Sequence, residues 1–168
     1  MLIRVFANNI LRYGGAQYRC ALGRGGIRMD KREGDGATPV GRYPLKKLYV
    51  RRDRMGIVKS ALPIHDIRPD DGWCDDPSRP EYNTLVKLPF TGSFEHMYRD
   101  DHVYDLVIEI GHNDAPPTPG LGSAVFIHIA KPDYAPTEGC IALAKDDLVK
   151  LLADWSTDSE IDISVETA

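Results

Sequence analysis

The chain has 168 residues, of which 42% are hydrophobic and 27% charged, a composition typical of a globular protein with a buried core. The net charge is −4, and the Lys and Arg residues are scattered rather than gathered in a stripe, which argues against nucleic acid as a partner. No apolar run approaches the roughly 20 residues that a helix needs to cross a bilayer, so a membrane is not an expected partner either.

The N-terminal segment, "MLIRVFANNI", is typical of an amphipathic strand. Arg4 interrupts its apolar run, and the segment lacks the basic start and small-residue cleavage site of a secretory signal. We therefore expect a cytoplasmic protein, or a periplasmic one if a signal peptide has been removed from the sequence. Three cysteines, an odd number, argue against a disulfide framework in such a protein.

Short β-like runs follow one another along the chain, separated by Gly, Pro, Asn and Asp. They are "LIRVFA", "AQYRCAL", "GRYPLKKLYV", "NTLVKL", "VYDLVIEI", "SAVFIHIA" and "EIDISVE". Residues 66–83 are polar and too numerous for a hairpin turn, so we predict a functional or capping loop there. No linker or internal repeat divides the sequence, which indicates a single domain over residues 1–168.

One amphipathic helix is predicted near the C-terminus, in "AKDDLVKLLADW". Asp146 and Asp147 fall in its first turn, where the helix dipole favours negative charge. Helical spacing places four apolar residues on a single face: Leu148, Leu151, Leu152 and Trp155. The predicted fold class is therefore mainly β with a C-terminal amphipathic helix.

The strongest chemical pattern is "FIHIAKPDYAPTEGCIAL", in which His128 precedes Cys140 by twelve residues. Strand alternation places His128 on the same face as Phe126, and a Cys–His pair can lower the pKa of the thiol. Gly139 leaves room for an incoming carbonyl, and the backbone N–H groups around Gly139 and Cys140 are candidate oxyanion donors. The alternative is a histidine buried in the core beside a Gly–Cys pair that arose by chance.

The other two cysteines are expected to be unreactive. Cys20 lies in the strand pattern "AQYRCAL" and is expected in the core. Cys74 lies in "DDGWCDDP", where neighbouring carboxylates oppose thiolate formation. We therefore predict that a limiting alkylating reagent modifies Cys140 first.

The segment "ATPVGRYPL" followed by "FIHIAKPDYAPTEGCIAL" resembles the L,D-transpeptidase catalytic domain, the YkuD-type family, over most of the chain. The resemblance implies a β-sandwich-like domain with a mixed sheet and a helix, in agreement with the pattern of elements. It also implies that Cys140 is the nucleophile and His128 its base. Gly139 and Thr137 match the Gly and the Ser/Thr of the family signature.

Three positions depart from the family pattern. Glu138 stands where the signature has a His, Ile129 where it has a Gly, and Ala142 where it has an Arg. The chain is therefore similar to a divergent, compact branch that keeps the nucleophile and the base. In the family a backbone carbonyl can orient the catalytic His, and no sequence signal identifies that group here.

Six residues are candidates for substrate contacts, and Thr137 of the signature is one of them. His112 and Asn113 follow a predicted strand, with a turn held by Asn and Asp side chains as the alternative. Arg99 suits a substrate carboxylate because it binds bidentately, unless it forms a surface ion pair. Trp73 caps the cleft or anchors its loop. Glu138 orients His128, binds a substrate amine or is exposed.

The resemblance implies no cofactor. A zinc site formed by His112, His128 and Cys140 is the main rival, but none of the usual metal-ligand spacings is present. We therefore expect no metal site.

By resemblance, the expected partners are peptidoglycan stem peptides or muropeptides. Cys140 would attack the carbonyl of the third residue, diaminopimelate or lysine, and release the following D-alanine. Water as acceptor would make the protein an L,D-carboxypeptidase of peptidoglycan recycling, which suits a cytoplasmic location. An amine as acceptor would make it an exported L,D-transpeptidase. A non-catalytic module that binds stem peptides is the third hypothesis, and the oligomeric state is open.

Overall fold

The computed structural model of the chain describes residues 2–168, which form a mainly β structure with fourteen strands and two helices. The strands are β1 Leu2–Phe6, β2 Ile10–Tyr13, β3 Ala16–Ala21, β4 Ile27–Arg28, β5 Thr38–Pro39, β6 Gly41–Val50, β7 Ile64–Asp66, β8 Asp71–Cys74, β9 Leu85–Lys87, β10 Phe94–His96, β11 Leu106–Ile110, β12 Phe126–Ile129, β13 Ile141–Leu143 and β14 Glu160–Ser164. The helices are α1 Arg52–Met55 and α2 Lys145–Leu152.

Nine strands form one mixed sheet in the order β11-β12-β13-β3-β2-β1-β14-β6-β7. Pairing of β11 with β6 closes the sheet into a barrel-like ring, and closure satisfies strand edges that would otherwise stay unpaired. The pairs β1–β14, β12–β13 and β6–β7 are parallel, and the other pairs are antiparallel. The predicted mainly β, mixed-sheet fold is confirmed.

The interior of the ring is filled by aliphatic side chains from alternate strand positions. Ile3 and Val5 of β1, for example, are fully buried while Arg4 between them is exposed. The same core contains Ile127 and Ile129 of β12. Strand alternation therefore assigns the odd-numbered residues of β12 to the core and leaves its even-numbered residues for the opposite face.

The predicted C-terminal helix is present and packs its apolar face on this core. The buried residues are Leu148, Leu151, Leu152 and Trp155. The helix ends at Leu152, three residues before Trp155, whose N–H still donates to Leu151 O at 3.2 Å. Neither helix within residues 2–168 has the length and apolar composition required to span a bilayer.

A second sheet, β10-β8-β9, takes one of its strands, β8, from the region that was predicted as a long loop. Residues 66–83 contain β8, so that prediction is wrong for Trp73 and Cys74. The polar composition predicted an exposed loop, but the charged residue of the strand is buried with partners. Asp71 accepts hydrogen bonds from the Arg68 N–H and from Lys87 Nζ. A second apolar cluster includes Trp73 and the barrel residue Phe126, whose rings meet edge to face at 4.9 Å.

Candidate active site

Two parallel strands bring His128 and Cys140 to the same side of the barrel wall. Ile127 pairs with Ile141 and His128 with Ala142, so Cys140, just before β13, lies beside Phe126. The Phe126 N–H donates to Cys140 Sγ at 3.4 Å. Both side chains lie on the face opposite to the barrel core, as strand alternation predicts for His128.

His128 and Cys140 share a cavity of about 470 Å³. Its walls come from the segment after β4, from β10, from the residues before β12 and from the turn before Cys140. The lining residues include Lys31, Glu33, Asp75, Glu95, Arg99, Tyr104, Ala124, Thr137, Glu138 and Gly139. The volume falls within the usual range of small-molecule sites.

The backbone fixes the tautomer of His128. Nδ1 lies 2.9 Å from Ile129 O, and a carbonyl oxygen only accepts, so Nδ1 carries the proton and Nε2 keeps its lone pair. Burial lowers the pKa of His128 to about 4. The imidazole is therefore neutral near pH 7 and is ready to accept a proton. Ile129 O is the orienting carbonyl that the sequence did not reveal.

Cys140 is a protonated thiol in the free protein. Its Sγ donates to Ala124 O at 3.2 Å. Burial, with a further contribution from the Glu95 carboxylate, raises the pKa of Cys140 to about 12. The Cys–His pairing predicted a lowered thiol pKa, and that prediction is wrong. The thiol pKa is raised because the thiolate would lose its hydration in the buried site, and this effect is the largest one. Deprotonation must accompany attack on the substrate, with His128 as the proton acceptor.

The turn before Cys140 is held by Thr137. Its hydroxyl donates to Cys140 O at 2.7 Å and accepts from the Gly139 N–H at 3.1 Å. The Gly139 N–H is therefore occupied, whereas the Cys140 N–H donates to no group within residues 2–168. One of the two expected backbone donors remains for an oxyanion. Gly139 has φ +138°, and a Cβ there would lie 2.8 Å from Ala37 O, so the turn requires glycine.

Tyr104 and Glu95 complete the floor of the cavity, and sequence reasoning missed both. The Tyr104 hydroxyl donates to Glu95 Oε1 at 2.6 Å, and the Tyr104 ring lies 5.3 Å from the His128 ring. The hydroxyl also interacts with Cys140 and lowers its pKa, against the larger effect of burial. Burial raises the pKa of Glu95 itself. Tyr104 stood in an ordinary strand pattern, which carried no signal of this role.

Asn83 is a third residue that the sequence analysis missed, and it holds the backbone next to Cys140 through Ala124. Its Oδ1 accepts from Trp73 Nε1 at 3.0 Å and from the Ala124 N–H at 3.1 Å. Ala124 has φ +53°, a conformation that costs a non-glycine residue energy and needs such support. The Ala124 carbonyl, which accepts a hydrogen bond from the Cys140 thiol, is thereby held in place. A lone Asn in "YNT" gave no sign of this function.

Arg99, Thr137 and Glu138, three of the residues predicted to contact substrate, line the cavity. Arg99 makes two bonds to Asp101, at 2.9 and 2.6 Å, so a substrate carboxylate would compete with that partner. Glu138 is exposed and bonds to Arg24 at 2.9 Å. Its carboxylate does not orient His128, because the Ile129 carbonyl does.

Trp73, His112 and Asn113 lie outside the lining of the cavity. Trp73 is 3% exposed and packs behind Phe126, the position of an anchor. His112 packs against the Tyr43 ring at 5.3 Å, and burial lowers its pKa to about 4. The Asn113 amide donates to two carbonyls of its own loop, at 3.0 and 2.9 Å. No group of three or more His, Cys, Asp or Glu side chains within residues 2–168 is arranged to hold a metal ion.

Comparison with known proteins identifies a family for the chain. The model of the YkuD family, the L,D-transpeptidase catalytic domain, matches residues 3–163. The search of curated proteins gave no match. Among solved structures, the helical cell shape determining protein Pgp2 from Campylobacter jejuni matches with 14% sequence identity and a TM-score of 0.45, over 99% of this chain and 48% of that chain. A lysine-to-alanine mutant of Pgp2 matches with 14% identity and a TM-score of 0.47, over 99% and 47%. The chain thus spans about half the length of these proteins.

Proposed function

The chain belongs to the L,D-transpeptidase catalytic domain family, whose members are cysteine-dependent enzymes of peptidoglycan, and from that premise we propose that it is an L,D-carboxypeptidase acting on stem peptides. The observation that carries the proposal is the pairing of a protonated thiol with a neutral imidazole in one cavity. Nδ1 of His128 is committed to Ile129 O, so Nε2 is the base available to Cys140.

The proposed reaction begins with Sγ of Cys140 attacking the carbonyl carbon of the third stem residue while its proton passes to His128 Nε2. The tetrahedral intermediate collapses as the C–N bond breaks, and His128 returns the proton to the departing D-alanine amine. A thioester remains on Cys140. Water then attacks the thioester, gives up a proton through His128, and releases the tripeptide and the free thiol.

We propose hydrolysis rather than amine transfer because a cavity of about 470 Å³ suits one short peptide. Soluble tetrapeptides and muropeptides from recycled peptidoglycan are substrates of that size. We accordingly propose a cytoplasmic role in peptidoglycan recycling, and detection of the protein in a periplasmic fraction would count against it.

The decisive experiment incubates the protein with a tetrapeptide stem ending in D-alanine, with and without a D-amino-acid acceptor. Mass spectrometry follows the products, and Cys140→Ala is the control. We expect tripeptide in both tubes and none with the control. His128→Gln keeps a polar side chain of similar length but has no basic nitrogen, so it should lose turnover while still binding the peptide.

An exchanged tetrapeptide would instead identify an L,D-transpeptidase, the activity for which the family is named. Peptide binding without turnover by the unmodified protein would identify a binding module. The hypothesis of a binding module is motivated by Glu138 and Ala142, which replace the His and Arg of the family signature.

A further inference from the structure

We propose that Lys31 is a catalytic residue, whose ammonium group stabilises the oxyanion formed when Cys140 is acylated. The inference rests on the acyl-transfer chemistry proposed above, but not on the identity of the peptide or on the choice between water and amine as acceptor. Nothing in the sequence pattern around "MDKREGDG" had singled out this residue.

Lys31 is a buried cation in the wall of the cavity. It lies in the segment between β4 and β5, and its side chain is only 8% exposed. Nζ donates to Arg32 O at 2.8 Å and to Asp35 Oδ1 at 2.6 Å. An ammonium group has three donors, so one N–H has no partner among residues 2–168.

The ammonium lies beside the turn that carries the nucleophile. A Cβ at position 139 would be 3.8 Å from Lys31 Nζ, so the missing side chain of Gly139 leaves space between the ammonium and the turn. Lys31, Gly139 and Cys140 line the same cavity. A carbonyl attacked by Cys140 would develop its negative charge in this region.

The turn itself is short of donors for that charge. The Gly139 N–H is already bonded to Thr137 Oγ1, which leaves the Cys140 N–H as the backbone donor. Oxyanion sites of acyl-transfer enzymes commonly use more than one preorganised donor. The free N–H of Lys31 supplies the missing one, and adds a full positive charge in a poorly solvated site.

The electrostatic balance at the thiol agrees with this role. Glu95 raises the pKa of Cys140, whereas Lys31 lowers it. Arg99, another cation in the cavity wall, is engaged bidentately by Asp101. Lys131 also lines the cavity, and its charge lowers the pKa of His128. Lys31 is a cation whose charge favours the thiolate of Cys140.

A purely structural role for Lys31 is the alternative, since it pairs with Asp35. However, Asp35 also accepts from the Arg32 N–H at 2.7 Å and from the Ala37 N–H at 2.8 Å. Those two bonds hold the loop without the lysine. Lys31→Met therefore removes the charge while it leaves much of the loop's own hydrogen bonding in place.

The test compares two reactions of Cys140 that need no peptidoglycan. Acylation by p-nitrophenyl acetate passes through a tetrahedral oxyanion, whereas alkylation by iodoacetamide does not. We expect Lys31→Met to slow acylation by about 10²-fold, as loss of one oxyanion donor does elsewhere, and to slow alkylation much less. Lys31→Arg should recover part of the acylation rate because it keeps the charge. Lys59→Met, an exposed lysine outside the cavity, is the matched control and should match the unmodified protein.

Equal slowing of both reactions by Lys31→Met would overturn the proposal, as would no slowing of acylation. Asp35→Asn weakens the ion pair between Lys31 and Asp35 but keeps the charge of Lys31. If this variant lost as much of the acylation rate as Lys31→Met, Lys31 would have a structural role. Circular dichroism checks the fold of each variant, and Lys31→Gln is judged by the same criterion if Lys31→Met does not fold. An unmodified protein that is acylated by the ester but cleaves no stem peptide would contradict the proposed substrate and leave the Lys31 comparison valid.

Discussion

At the scale of single residues, burial decides the protonation states of both reacting groups. The same low solvation that keeps His128 neutral keeps the Cys140 thiol protonated, because each charged form loses its hydration. The resting pair is therefore a neutral thiol and a neutral imidazole, in contrast to a thiolate–imidazolium ion pair. The pH dependence of thiol reactivity distinguishes the two arrangements.

We predict that alkylation of Cys140 by iodoacetamide speeds up about tenfold per pH unit from pH 7 to pH 9, with no plateau, because the pKa of about 12 lies above that range. Peptide mapping at limiting reagent should find Cys140 modified before Cys20 and Cys74, which are 1% and 0% exposed against 7% for Cys140. A plateau near neutral pH would indicate a preformed thiolate. Earlier modification of Cys74 would contradict the assignment of the reactive thiol.

A second prediction at this scale concerns the Thr137 hydroxyl. Thr137→Val keeps the shape of the side chain but removes the bonds to Cys140 O and the Gly139 N–H. We expect a loss of about 1–2 kcal/mol in the free energy of unfolding and a lower rate of Cys140 acylation. Thr137→Ser retains the hydroxyl and should stay close to the unmodified protein in both urea unfolding and acylation. Similar losses in both variants would show that the methyl group matters instead.

At the scale of elements, the unit that makes the site is β12, the connecting segment and β13. The parallel pairing fixes His128 one strand away from the nucleophile, and the tight turn at Gly139 fixes where the thiol emerges. The turn is also tied to the N-terminal half of the chain, since the Thr137 N–H donates to Leu22 O at 2.9 Å. Rigid strands on both sides give the pair a defined geometry.

Gly139→Ala tests this element. The new Cβ would lie 2.8 Å from Ala37 O in a left-handed conformation, so the turn must shift, and we expect a destabilisation of about 1–3 kcal/mol. A shift of this kind also displaces Cys140, so acylation should fall by on the order of 10²-fold. Gly120→Ala is the matched control, because Gly120 has φ +84° but open space around its Cβ position. Equal effects of the two variants would mean that backbone conformation alone, without the contact to Ala37, sets the loss.

At the scale of the whole molecule, the barrel and the small sheet together bury polar groups that titrate. His112 and His128 both have pKa values lowered to about 4 by burial, against about 6.5 in an unfolded chain. Between these values the unfolded state binds more protons than the folded state. The stability that each histidine contributes is therefore complete above about pH 6.5, and is lost as the pH falls toward 4.

We predict that the urea midpoint falls steadily between pH 6.5 and pH 4. His112→Phe keeps a planar ring against Tyr43 but removes one of the two titrating groups. That variant should show a weaker pH dependence than the unmodified protein in this window, in which His128 and Glu95 still titrate. An unchanged pH dependence would mean that His112 is not a buried neutral histidine.

Several features of the fold could be predicted from local sequence. The helix followed from the spacing of Leu148, Leu151 and Leu152, and the two faces of β12 from alternation around His128, because each pattern repeats with the period of its element. The strand β8 was missed because its charged residue, Asp71, gains its partner Lys87 only once β9 has paired with it. Tyr104 and Asn83 were missed because their partners are distant in sequence.

The sequence by itself therefore determined the mainly β fold class, the C-terminal helix and the Cys140–His128 candidates, since periodicity and a short motif are local properties of the chain. Only the tertiary structure decided that Ile129 orients the base, that the thiol is protonated at rest, and that Lys31 reaches the turn at Gly139. The protonated thiol depends on burial, and the approach of Lys31 to Gly139 depends on contacts between segments far apart along the chain. The contact of His128 with Ile129 O is local, but it depends on a side-chain orientation that no sequence pattern specifies. Desolvation and through-space charge act only once the barrel has brought those segments together.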